Sequence, residues 1–219
     1  MHYQVRPMCK EDIPQAIKLD RQAFPTQWPT TSYRRELENK MAHYLVVCDS
    51  QEEKQSPALE EPSQPEEKAQ QPRGLVSWVK RLFAKERFFP PENPSAEGQP
   101  ILGMVGFWLM FDEAHITTIA VWEHLQRQGL GELLLISTID RAMEMGAQVV
   151  TLEVRVSNTA AQALYEKYGF KNVGARRGYY TDNREDAAIM TTDQLSSASF
   201  QSQFQRLKQE CMERLERRL

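Results

Sequence analysis

Apolar and polar residues alternate over residues 3–6, recur at helical spacing soon after, and keep switching between these two periods along most of the chain. Residues 3–6 read as a first strand stopped by Pro7. A helix follows from Glu11 or Asp12, with Ile13, Ala16, Ile17, Leu19, Ala23 and Phe24 mostly on one face. After a turn-rich link at residues 24–29, residues 30–40 are predicted as a second helix capped by Thr30 or Thr31, and residues 43–48 as a second strand. Both periods then vanish. Residues 49–72 carry repeated Gln, Glu, Lys and Pro with almost no large apolar side chain, too little to offset the entropy of ordering, so this stretch is expected to be disordered.

Leu75, Val76, Trp78, Val79, Leu82 and Phe83 restore helical spacing beside Lys80, Arg81, Lys85 and Arg87. Three fates are open to this basic amphipathic segment: packing on this or a neighbouring subunit, binding a partner, or lying at a membrane surface. The first is favoured, because an insert helix usually buries its own stripe. A Pro-rich linker at residues 90–100 leads to a long buried strand at 101–111, whose Gly103 and Gly106 suggest a bulge or a close backbone approach. Strand 114–121, helix 129–145 ended by Gly146, and strand 149–154 come next. Ser157 is read as the cap of a helix stopped by Gly169, and residues 170–175 and 187–192 as a closing strand pair around Tyr179 and Tyr180. The sum is a mixed α/β sandwich.

Residues 194–219 place Phe200, Phe204, Leu207, Cys211, Leu215 and Leu219 on one stripe of a polar helix, and that stripe needs cover. The domain's own flank or the 75–83 helix is the expected partner, ahead of a second copy. The organisation expected is therefore a folded domain from residues 1–48 and 101–193. A low-complexity insert at 49–100 carries a short amphipathic helix near 74–89, and residues 194–219 form a C-terminal amphipathic helix.

Composition narrows the class. The 219 residues suit one domain with attachments or two small ones, and a hydrophobic content of 41% supports a core. A net charge of −3 gives no electrostatic case for direct nucleic-acid binding. Cys9, Cys48 and Cys211 are scattered and odd in number, and His2, His43, His115 and His124 have no ligand spacing, so neither disulfides nor a metal are expected. With no apolar signal region and no run of membrane-span length, a soluble cytoplasmic protein is expected. Oligomeric state is not encoded in these features.

The chemistry concentrates where a β-branched run ends at Val121 and Gly129-Leu130-Gly131 opens a Leu-rich helix. Unpaired N–H groups of a first helical turn and the positive end of its dipole favour an anion, phosphate above all. Glycines let a phosphate approach the backbone, and Arg127 adds charge; an ordinary strand-to-helix turn is the plain alternative. A nucleotide-triphosphate loop is excluded because Glu132 and Leu133 follow the second glycine, and a dinucleotide fingerprint because the third glycine is missing.

Gln126, Gly129 and Gly131 fit Gln/Arg-x-x-Gly-x-Gly, which resembles the pyrophosphate signature of the GNAT superfamily of N-acetyltransferases. TLEVRVSNTAAQALYEKYGF at 151–170, followed by ARRGYY and REDAAIM, is similar to the RimI type within it, the ribosomal-protein-alanine N-acetyltransferases. The resemblance covers residues 1–48 loosely and 101–192 closely. It implies a mostly antiparallel sheet with a splayed strand pair flanked by helices, acetyl-CoA as cosubstrate, and a protein N-terminus, such as that of a ribosomal protein, as acceptor. Arg127, Gln128, Gly129, Leu130, Gly131 and Glu132 would then cradle the pyrophosphate. Ile119, Ala120 and Val121 would offer backbone groups, with the Val121 N–H on the thioester carbonyl.

By the same resemblance Glu153 is the general base and Tyr165 the acid that protonates the leaving thiolate, both expected on one side of the sheet. For Glu153 the alternatives are solvent exposure or pairing with Arg155; for Tyr165, core packing. Tyr168 reads as packing. Asn158 would hydrogen-bond the pantetheine arm or merely cap its helix. Tyr179, Tyr180 and Asp186 would grip the acceptor, or form a charged hairpin turn, and Phe24 and Trp28 would face the same groove. Pro25-Thr26-Gln27 between Phe24 and Trp28 departs from the family's usual run. With no cysteine near the glycine turn, direct transfer is expected. Acetylation of Lys side chains or small amines is the enzymatic alternative, and a non-catalytic acyl-CoA-binding scaffold the alternative of another class.

Overall fold

Among the described residues, seven strands lie in one sheet: β1 (Tyr3–Pro7), β2 (Ala42–Asp49), β3 (Ile101–Met110), β4 (Glu113–Val121), β5 (Val149–Arg155), β6 (Phe170–Tyr180) and β7 (Glu185–Thr192). Their order is β1-β2-β3-β4-β5-β7-β6, antiparallel except for the parallel β4–β5 pair. The computed structural model describes residues 3–24, 31–49 and 99–217. Trp28, the low-complexity stretch and the amphipathic segment near 74–89 lie outside the described residues.

Strand alternation sorts the side chains onto two faces. Tyr44, Val46 and Cys48 of β2 pack with Ala16 and Leu19 of helix α1 (Ile13–Ala23) and with Tyr33 of helix α2 (Tyr33–Glu36). Leu45 and Val47 face the larger core with helix α3 (Leu130–Glu144), helix α4 (Thr159–Lys167) and helix α5 (Ala198–Glu216). The α3 helix is apolar on nearly all sides because the sheet lies beneath it and α5 beside it. Its buried Ser137 and Thr138 return their hydroxyls to the carbonyls of Leu133 and Leu134, 2.9 Å each, so neither is left unsatisfied.

The stripe on α5 is covered by the domain's own flank: Phe200, Phe204, Leu207, Cys211 and Leu215 join the larger core. Lys208 of α5 reaches Asp140 of α3 at 2.6 Å in a buried ion pair, where desolvation raises the Asp140 pKa against the pull of the ammonium. Removing one partner of such a pair leaves a buried charge uncompensated. Lys208→Met is expected to lower stability by about 3–5 kcal/mol in urea unfolding, and the double change with Asp140→Leu to recover most of it.

Several boundaries differ from expectation. The second helix is one turn, because Asn39 interrupts it: its side-chain and main-chain oxygens accept the N–H groups of Met41 and Ala42, 3.1 and 3.0 Å, turning the chain into β2. The cap of α4 is Asn158, whose Oδ1 accepts the Ala161 N–H at 3.1 Å, while the Ser157 N–H goes to Glu185. The closing hairpin is longer than predicted, so Tyr179 and Tyr180 end β6 rather than occupy the turn. Gly146 and Gly169 stop their helices at φ +86° and +84°. Among the described residues, no helix is long and apolar enough to cross a membrane.

Candidate active site

The site begins with a mismatch in the sheet. Between β3 and β4, Gly106 pairs with Thr118 and Phe107 with Ile116, so Thr117 is an extra residue, its hydroxyl bonded to the Gly106 carbonyl at 3.2 Å. Such a bulge bends its strand. The parallel β4–β5 ladder stops at this level, at Ile116 opposite Leu152. Beyond it the two strands continue unpaired with each other, β4 to Val121 and β5 to Arg155. The Trp122 N–H returns to the Leu102 carbonyl of β3 at 3.3 Å, so alternation turns the N–H groups of Val121 and Ile119 toward the opening, with Ala120 facing β3.

Glu153 is the first residue of β5 past the end of the ladder, and its side chain is only 6% exposed. Its Oε2 accepts from His115 Nε2 at 2.7 Å and its Oε1 from Arg176 at 2.9 Å. An ionised carboxylate only accepts, so the His115 proton is on Nε2, while Nδ1 lies 3.9 Å from Glu113. The His115 hydrogen bond, then the nearby positive charges, outweigh desolvation and hold the Glu153 carboxyl below its ordinary range. Neither sequence alternative for this residue is realised. Glu153 is not solvent-facing, and Arg155 instead pairs with Asp182 and Glu185, with its guanidinium 3.9 Å over the Tyr180 ring.

Tyr165 corrects the expectation of a shared side. Leu152 and Val154 face the α3–α4 core, Glu153 alternates to the other face, and Tyr165 packs within that core, 5.6 Å from the Phe170 ring. Burial pushes the Tyr165 phenol above its ordinary pKa, so it stays protonated. Tyr168 is buried, and its hydroxyl donates to Glu132 at 2.7 Å.

At the mouth of the opening, residues 126–132 form the glycine turn. Arg127 and Gly129 take φ of +62° and +92°, and the first bond of α3 runs from the Leu133 N–H to the Gly129 carbonyl. The N–H groups of Leu130, Gly131 and Glu132 therefore precede the helical ladder. The Leu130 side chain is buried, leaving only its main chain for the turn. A Cβ on Gly131 would meet only Val121, at 3.9 Å, so the space around its missing side chain is open. The Gln126 and Gln128 amides fold onto the carbonyls of Val121 and His124.

Tyr179 and Tyr180 meet edge to face at 5.2 Å, with Arg176 5.7 Å from the Tyr179 ring. Asp186 accepts the Gly178 N–H at 2.7 Å, a bond that shapes the irregular end of β6. Phe24 terminates α1, 36% exposed. Sequence reasoning missed His115 and Arg176 as partners of Glu153. His115 carries no ligand spacing in the sequence, and only the register of β4 on β5 brings it alongside.

A model of the acetyltransferase (GNAT) family matches residues 13–170, and the chain belongs to that family. It is an N-acetyltransferase similar to the ribosomal-protein-alanine type. A Bacillus subtilis protein provisionally named a [ribosomal protein bS18]-alanine N-acetyltransferase is 33% identical over 187 residues, 85% of this chain and 92% of that one. The Escherichia coli [ribosomal protein bS18]-alanine N-acetyltransferase is 51% identical over 84 residues, 37% of this chain and 57% of its own length. The crystal structure of the Escherichia coli enzyme superposes with a TM-score of 0.62 at 25% identity, covering 90% of this chain and 96% of that one. Arabidopsis thaliana NAA60 in complex with acetyl-CoA shares the fold, at 14% identity and a TM-score of 0.60 over 87% of this chain and 97% of that one.

Proposed function

We propose that this protein transfers the acetyl group of acetyl-CoA directly to the N-terminal α-amine of a protein, with the alanine terminus of ribosomal protein bS18 as its substrate type. One observation carries the reading: the β4–β5 ladder ends at Ile116 and Leu152, and Glu153, the inner edge of Val121 and the glycine turn all border the resulting opening. The residues fit acetyl-CoA. Gly131 leaves room for a pyrophosphate on the N–H groups of 127–132, and Arg127 adds charge. The Val121 N–H lies on the strand edge beyond the β4–β5 ladder, and Asn158, besides capping α4, presents its Nδ2 to a pantetheine amide.

Bound acetyl-CoA supplies an activated thioester carbonyl. Val121 N–H polarises that carbonyl from the opened edge. Glu153, fixed by His115 and Arg176, takes the amine proton directly or through one water. Tyr165 gives its proton to the departing thiolate from the other side of the opening. Tyr179, Tyr180 and Asp186, with Phe24, line the acceptor approach. A carboxyl held below its ordinary pKa is a modest base, which suits an α-amine of pKa about 7.7–8.0 better than a Lys amine near 10.4.

Labelled acetyl-CoA offered to an N-terminal Ala peptide and to an N-blocked Lys peptide tests the acceptor. Label on the α-amine is the expected result, and faster labelling of Lys overturns the reading. The pH profile adds a second test. Because Glu153 stays ionised through the neutral range, kcat/KM for the peptide is expected to rise with the acceptor's own titration near pH 8, with no limb from Glu153 between about pH 5 and 7. The same depressed pKa favours folding above about pH 4.3, a contribution lost as pH falls through the folded-state value.

A further inference from the structure

Glu132 carries the wrong charge for its place. It lies in the first turn of α3, beside the N–H groups assigned above to the pyrophosphate, where a carboxylate competes with an anionic ligand for the same positive end of the helix. The structure deals with this charge through elements outside the glycine turn. Glu132 accepts from Lys167 of α4 at 2.7 Å, from the Tyr168 hydroxyl at 2.7 Å, and from the Arg214 guanidinium of α5. The carboxylate is nearly buried among these donors, 11% exposed, and the three charges together leave one positive.

Residue 215 adds a steric link. A methyl of Leu215 lies 3.0 Å from where a Cβ on Gly129 would stand, so the last turns of α5 pack directly on the glycine turn. Further along the same two helices, the Lys208–Asp140 pair fixes their relative height. The α5 helix is therefore fastened to α3 at both levels, and the upper fastening ends on the single acidic side chain of the turn.

We infer that Arg214 is a positioning residue for acyl-CoA. With Lys167 it turns the Glu132 carboxylate away from the anion seat and neutralises it, so the C-terminal helix is part of the cofactor site. The inference rests on residues 127–132 being the pyrophosphate seat. Arg214→Ala takes this cluster from one net positive charge to none and leaves the Glu132 carboxylate to Lys167 and Tyr168 alone. It is expected to raise the KM for acetyl-CoA, and the Kd for CoA in titration calorimetry, about tenfold, with kcat within about twofold. Arg214→Lys, which keeps the charge, restores most of the affinity.

The decisive arm is the double variant Glu132→Gln/Arg214→Ala. Removal of the offending charge restores CoA affinity to within about threefold of the parent, although α5 has lost the same guanidinium. If Arg214 merely braces the fold, Glu132→Gln gives no rescue and the inference is overturned, as it is if Arg214→Ala leaves the KM unchanged. Gly131→Asp separates the two levels. A normal KM for acetyl-CoA in that variant removes the pyrophosphate seat itself, whereas a raised KM there with a silent Arg214→Ala removes only the role of Arg214.

Discussion

Glu153→Gln is expected to lower kcat about a hundred- to ten-thousand-fold while CoA affinity stays within about twofold. Gln keeps the shape of the side chain and an oxygen for His115 or Arg176, but it cannot take up a proton. The loss therefore falls on the proton transfer and not on the fold. CoA affinity is expected to be spared because the pyrophosphate seat proposed above lies in a different element, at the start of α3. Burst-free steady-state kinetics on an Ala-terminated peptide, with CoA titration in parallel, measure both quantities. A kcat within threefold of the parent would remove Glu153 as the base. His115→Ala provides the graded comparison: the carboxylate remains but loses a 2.7 Å donor and its strongest stabilising contact, so kcat falls less than in Glu153→Gln and the Glu153 pKa rises toward its ordinary value.

The glycine turn yields the second large effect, in which stability and binding move in opposite directions. Gly131 lies in the first turn of α3 with only Val121 near its missing side chain, at 3.9 Å. Gly131→Ala is thus expected to stabilise the folded protein by about 0.5–1 kcal/mol, through lower backbone entropy in the unfolded chain. The same methyl occupies the approach of a phosphate, so the KM for acetyl-CoA rises about tenfold or more. Gly129→Ala behaves differently. Its φ of +92° strains an L residue, and Leu215 stands 3.0 Å from the new Cβ, so stability drops by about 1–2 kcal/mol. Thermal melts with and without CoA distinguish the pair. Stabilisation by CoA that is equal in Gly131→Ala and the parent would remove the close-approach role of this glycine.

How far each feature could be read in advance follows its range along the chain. The glycine turn was legible because its backbone conformation is set within a few residues. The order of strands and helices was legible because periods of two and 3.6 announce themselves locally. The second helix was overestimated because the turn chemistry of Asn39 outweighs the helical propensity of its neighbours. Asn158 and Ser157 were confused because both are good caps and adjacent, and the choice was made by Glu185, which takes the Ser157 N–H from 28 residues away. The stripe on α5 announced that it needed cover, and packing on its own domain met that need.

The sequence by itself determined the fold class, the family and the place of the glycine turn, since each depends on patterns or backbone conformations that span a few residues. Only the tertiary structure decided what Glu153 touches, how it stands relative to Tyr165, and why Glu132 is tolerated at the mouth of the site. These depend on where the extra residue Thr117 ends a strand pairing and on which distant helix reaches the turn. Such contacts are set by the register and packing of segments far apart in the chain, and no local pattern of residues encodes them.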